Sequence, residues 1–119
     1  MTMRVVFISL PMSGYTDEII KANIEHAKRA YLAITGFEAS QVVFVNNMDA
    51  ANLAHEEMSE KQLRIWYLGH AVSKLAACDE AFFWGDWKYA RGCVIEHEVC
   101  SMYDIPRISV EKNGFSRNS

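Results

Sequence analysis

DEAFFWGDWKYARGCVIEHEVCSMYDIPRISV, residues 79–110, is the stretch whose reading decides the fold. It opens on DEAFFW, Asp79 to Trp84, whose apolar run AFFW is the pattern of a strand buried on both faces. The short loop GDWKYARG breaks that run. From about Gly92 to Tyr103, Cys93, His97 and Cys100 recur at i, i+4 and i+7, which puts them on one face of a helix. Asp104 ends the helix, and Pro106 precedes a last apolar run, RISV. Strand, helix and strand in direct succession form a unit whose two strands lie parallel.

The rest of the chain repeats that alternation. RVVFIS, Arg4 to Ser9, is a β-branched and aromatic run that stops at LPMSGYT, where Pro11 and Gly14 punctuate a loop. Thr16 is placed to N-cap the following helix, with Asp17 and Glu18 in its first turn. Ile20, Ile24, Ala27, Tyr31 and Ile34 then recur at helical spacing until Gly36. QVVFV, Gln41 to Val45, reads as a second buried strand, followed by a long polar loop with room for one helical turn. Ser59 and Gln62 form a capping box that opens a helix running to about Ala77.

The expected class is therefore α/β: a three-layer sandwich around a central parallel sheet of about four to five strands, flavodoxin- or Rossmann-like. A single domain spans 1–112, and the polar residues 113–119 read as a flexible tail. In such sheets ligands sit beyond the carboxyl ends of the strands. Two loops fall there, LPMSGYT and GDWKYARG.

Composition narrows the function classes. The chain has 119 residues, enough for a core without staples, and a formal net charge of -3. An acidic balance argues against non-specific binding to nucleic acid or a membrane surface. No apolar run approaches the roughly eighteen residues of a membrane span, and the N-terminal run reads as a strand rather than a secretory signal. Cys78, Cys93 and Cys100 are an odd number in a chain with a good core, which suits a reduced, cytoplasmic setting. Internal repeats and low-complexity linkers are absent.

Several residues carry candidate chemistry. Three ligands on one rigid helix rarely converge on a tetrahedral ion, so Cys93 and Cys100 read as small core residues, His97 is given no role beyond being solvated, and neither a metal nor a cofactor is expected. Glu96 and Glu98 lie about 200° apart around a helix, so only one can face a crevice. Glu96, in the first turn after Gly92, is expected to be held ionised by the helix N-terminus, as a nucleophile requires. An ordinary helix-stabilising role fits the same position. The PMSGYT loop can hold an anion on backbone N–H groups or serve as a plain turn. Trp84 and Trp87 can stack on a base or sugar, or pack against a second subunit.

VFISLPMSG and CDEAFFWGDWKYARGCVIEHEVCSMYDIP resemble the nucleoside 2-deoxyribosyltransferase superfamily, in particular its small-domain branch of unknown function. The residues that carry the resemblance are Pro11, Met12 and Gly14, then Cys78 and Asp79, then Trp87, Arg91, Gly92 and Glu96. It implies a parallel α/β fold and cleavage of an N-glycosidic bond, with Glu96 attacking the anomeric carbon. This chain departs from the established transferases at four places. Ala90 stands for an aspartate, Phe7 for the tyrosine that steadies the glutamate, Ala71 for another aspartate, and Leu10 for a glycine. Asp86 and His70 are the candidates to replace the missing polar groups and to protonate the departing base.

Three readings follow. In the first the chain is a nucleoside or nucleotide N-glycosidase or deoxyribosyltransferase. Catalysis falls to Glu96, Asp86 and His70, and binding to Ser9, Pro11, Met12, Gly14, Trp84, Trp87, Arg91 and Gly92. Arg91 suits a 5′-phosphate. In the second the same crevice binds a nucleotide or metabolite without turning it over. In the third the tryptophans make an assembly interface. The partner is thus a small-molecule nucleoside or nucleotide, with no nucleic acid and no membrane. The resemblance also implies a homo-oligomer, with residues 46–57 and the C-terminal tail as candidate contacts.

Overall fold

The computed structural model describes residues 3–12, 14–43, 58–111 and 114–118. The apolar runs become strands β1 (Met3–Ser9), β2 (Glu38–Val43), β3 (Glu80–Phe83) and β4 (Arg107–Glu111), and a fifth, β5 (Gly114–Asn118), follows. Helices α1 (Asp17–Thr35), α2 (Glu60–Leu75) and α3 (Arg91–Met102) separate them, with a 3-10 turn at Trp87–Tyr89. The expected polar loop and helical turn at 46–57 lie outside the described residues, as does the end of the expected second strand.

Local chemistry explains the helix ends. Thr16 Oγ1 accepts from the Ile19 N–H at 3.2 Å. Gly36, with φ 78°, returns its own N–H to the Leu32 carbonyl at the other end of α1. At the start of α2, Ser59 and Gln62 exchange both capping hydrogen bonds, at 2.8 and 3.2 Å. Past α3, Asp104 takes a left-handed φ of 54°, which short polar side chains tolerate better than most.

The chain is mixed α/β, with a five-stranded sheet in the order β2-β1-β3-β4-β5. The first four strands are parallel neighbours. β5 is not: it pairs antiparallel with β4, from Glu111↔Gly114 to Arg107↔Asn118. The expected wholly parallel sheet with a flexible tail is corrected on this point. Only residues 112 and 113 separate the two strands, far too few for a crossover, so the chain can return only as a hairpin. An edge strand needs backbone hydrogen bonds more than apolar side chains, so a polar sequence suffices. The sheet is curled like half of a barrel, as accumulated strand twist produces.

Successive β1 side chains point to opposite sides and seed two cores. Val6, Ile8 and Leu10 pack with Ile20, Ile24, Ala27 and Tyr31 of α1, and with Phe82 and Ile108. Phe7, Ala81 and Phe83 pack with Ala71 and Leu75 of α2 and with Trp87, Cys93 and Cys100. At the amino end of β3, buried Glu80 accepts from the Tyr31 hydroxyl at 2.7 Å and pairs with Arg4 at 3.5 Å. Arg117 of β5 approaches it at 3.9 Å, half-exposed and correspondingly weak. Burial, then Glu80, pushes the Tyr31 phenol up to about 12, so it stays a donor. Tyr31→Phe is expected to cost about 2 kcal/mol, the usual worth of a buried hydrogen bond to a charged group. Thermal denaturation checks this, and an unchanged midpoint would assign the carboxylate to its arginines alone.

Candidate active site

Topology marks where a crevice is expected before any side chain is considered. β1 leads to α1, on one side of the sheet, and returns as β2. Its other neighbour, β3, leads to α3 on the opposite side and returns as β4. The two connections part between β1 and β3, and at that switch point a parallel sheet opens beyond its carboxyl ends. Both loops begin there. Ser9 and Phe83 are register partners, and the Trp84 N–H donates to the Ser9 carbonyl at 2.9 Å. The loops also run against each other: a Cβ on Gly85, whose φ is 73°, would lie 3.7 Å from Pro11 Cδ.

α3 brings Glu96 to this point. Cys93, Glu96 and Cys100 are its buried residues, at i, i+3 and i+7, whereas Glu98 is exposed. Glu96 is only 8 % exposed. Ser9, the last residue of β1, donates its hydroxyl to Glu96 Oε1 at 2.7 Å. No described residue donates to the other carboxyl oxygen.

The expectation that the helix N-terminus holds Glu96 ionised is corrected. α3 starts at Arg91, one turn earlier than Glu96 would need, and its first turn holds no acidic residue. Burial therefore dominates and pushes Glu96 up to about 7, with the Ser9 hydroxyl opposing. Near neutral pH the group populates both forms, a useful property for a residue that must exchange charge during a reaction. Beside it, burial and the Glu96 charge push the Cys93 thiol up to about 11, so it stays protonated.

The other expected site residues divide. Pro11 and Met12 are half-buried in the β1–α1 loop, and Gly14 is exposed with φ 86°. Met12 and half-buried Trp84 both pack on the α1-side core, and Trp84 stacks on Phe82 at 6.0 Å. Arg91 and Gly92 are exposed at the start of α3, where Ala90 makes no side-chain cap. Asp86 is exposed at the head of the 3-10 turn. His70 is exposed on α2 with its ring 4.1 Å from that of Trp66. Neither Asp86 nor His70 hydrogen-bonds Glu96, whose one described partner is Ser9.

Trp87 is also corrected, from an exposed stacking platform to a buried anchor. The 3-10 turn folds it inward, its indole N–H donates to the Val110 carbonyl at 3.0 Å, and it is 6 % exposed. Its ring stacks on His97 at 4.7 Å. His97 reaches buried Ser109 at 3.1 Å, and burial lowers its pKa, favouring the neutral ring. Sequence reading missed this cluster, although the Cys93–His97–Cys100 stripe already placed the imidazole toward the sheet.

Family models, curated proteins and solved structures were all compared, and none matches this chain. The resemblance to the deoxyribosyltransferases thus rests on its motif residues. Among the described residues, no group of three or more His, Cys, Asp or Glu is disposed to hold a metal ion. The three cysteines are free, and no helix of the described residues is long and apolar enough to cross a membrane.

Proposed function

We propose that the chain cleaves the N-glycosidic bond of a nucleoside or nucleotide, on the three-layer, flavodoxin-like fold of the nucleoside 2-deoxyribosyltransferases. One observation carries the reading: a buried carboxylate, Glu96, held by Ser9 at the β1/β3 switch point. In the reaction, a Glu96 oxygen attacks C1′ of the sugar while the bond from C1′ to the base nitrogen breaks. The bonding pair leaves with the base, which takes up a proton, and a glycosyl ester remains on Glu96. Water or a second base then attacks C1′, loses a proton and frees the carboxylate. The cationic sugar of the transition state favours the ionised carboxylate over the neutral form, which suits a group poised near neutrality. Trp84 and Met12, on the α1 side of the same loops, supply an apolar surface for the base. Exposed Arg91 is available for a 5′-phosphate.

A mixed panel of ribo- and deoxy-nucleosides and their monophosphates, chromatographed after incubation, tests this. Free base from at least one member is the expected result, and an inert panel overturns the reading. That neither Asp86 nor His70 hydrogen-bonds Glu96 favours a second reading, in which the crevice binds a nucleotide without cleaving it. A raised melting temperature with a panel member, and no product, would select that one.

A further inference from the structure

Among the described residues, the Ser9 hydroxyl is the one group that hydrogen-bonds Glu96. Ser9 lies two residues after Phe7 along β1 and therefore on the same side of the sheet. Its backbone is fixed, because β1 is hydrogen-bonded between β2 and β3 and the Ser9 carbonyl accepts from Trp84. Ser9 is 2 % exposed, so the hydroxyl has little freedom to turn to solvent.

We infer that Ser9 is the positioning residue for Glu96: its hydroxyl engages Oε1 and leaves the second carboxyl oxygen to meet the sugar. The inference rests on the glycosidic reading for its chemistry, but the hold of Ser9 on Glu96 is independent of it. The groups facing the carboxyl leave Ser9 without a substitute. From α3 come the protonated thiols of Cys93 and Cys100, both pushed up to about 11. Phe7 of β1 and Ala71 and Leu75 of α2, which share a core with those cysteines, carry no group that could donate. Among the described residues, Ser9 is the group that opposes burial in setting the Glu96 proton. A hydrogen bond to the charged form of an acid favours that form. With the hydroxyl removed, burial acts alone.

Carbon-13 NMR of glutamate-labelled protein reads the carboxyl titration directly, the Glu96 signal being the one lost in Glu96→Gln. Ser9→Ala is expected to move its inflection upward by about one pH unit or more. The rate profile should move the same way, with kcat at pH 6.5 falling about tenfold and KM changing little. Ser9→Thr, which keeps the hydroxyl, should return both toward wild type. Should Ser9→Ala fail to fold by far-UV circular dichroism, Ser9→Cys, a near-isostere with a weak donor, carries the same upward shift. An unmoved inflection in the folded variant overturns the inference, whether or not the panel yields product. An inert wild type beside a shifted inflection overturns the glycosidic reading alone.

Discussion

Glu96→Ala and Glu96→Gln are expected to lower the rate of base release by on the order of a thousandfold or more. Neither replacement can form the glycosyl ester, and glutamine cannot supply the negative charge that the cationic sugar demands. Nothing nearby can take over: the Cys93 thiol beside Glu96 is pushed up to about 11 and stays neutral. Because the attacking form is the ionised one, and Glu96 sits at about 7, kcat/KM should rise with pH through that value and level off above it. Below the inflection the rate should drop about tenfold per pH unit. Steady-state kinetics on the most active panel member, from pH 5 to 9, gives both results. A Glu96→Ala protein that kept more than about a tenth of the activity would place the nucleophile elsewhere.

The same carboxyl should make the fold less stable as the medium becomes alkaline. Burial raises Glu96 from an ordinary 4.5 to about 7. Between those values the folded chain holds a proton that the unfolded chain has released, so folding stability declines as pH rises through the window. Below about 4.5 both states are protonated and the group contributes no slope; above about 7 the loss is complete. Its full size is roughly 3 kcal/mol, an upper bound because water penetration softens burial. Glu96→Gln keeps a neutral side chain at every pH and should abolish this decline. At pH 8 it should melt above the wild type by roughly 10 °C, while at pH 4.5 the two should nearly coincide. Calorimetry at the two pH values checks it. Equal melting temperatures at pH 8 would mean that the Glu96 charge is better solvated than its 8 % exposure implies.

On the proposed function, stability and activity pull Glu96 in opposite directions, as they do wherever a charge is kept under cover to be reactive. The cost is confined to one residue. The second buried acid, Glu80, accepts from Tyr31 and pairs with Arg4, whereas Glu96 is given a single hydroxyl. That contrast separates a carboxylate with structural partners from one left available.

Much of this was legible in the residues. Solid apolar runs at β1 and β3, the Thr16 cap, the Ser59–Gln62 box and the turn at Gly36 all signal their elements through interactions within a few positions. Helical spacing was enough to say that only one of Glu96 and Glu98 can turn inward. The choice of Glu96 rested on its expected place near the helix N-terminus and on the motif resemblance, and its burial is what the fold adds. β5 was not legible: NGFSRNS has turn-like composition, and what makes part of it a strand is the free edge of β4, which the segment itself cannot announce. Trp87 was misjudged, and His97 given no role, for a similar reason. The partners that bury them, Val110, Phe83 and Ser109, lie on strands distant in sequence.

By itself the sequence determined the alternation of strands and helices, the parallel core and the position of the acid, because periodicity and capping are local. Only the tertiary structure decided that Ser9 meets Glu96 across 87 positions of chain, that Trp87 is an anchor, and that the acid titrates near 7 rather than remaining ionised. Each of those depends on desolvation, which is set by every element that closes around a group and by none of them alone.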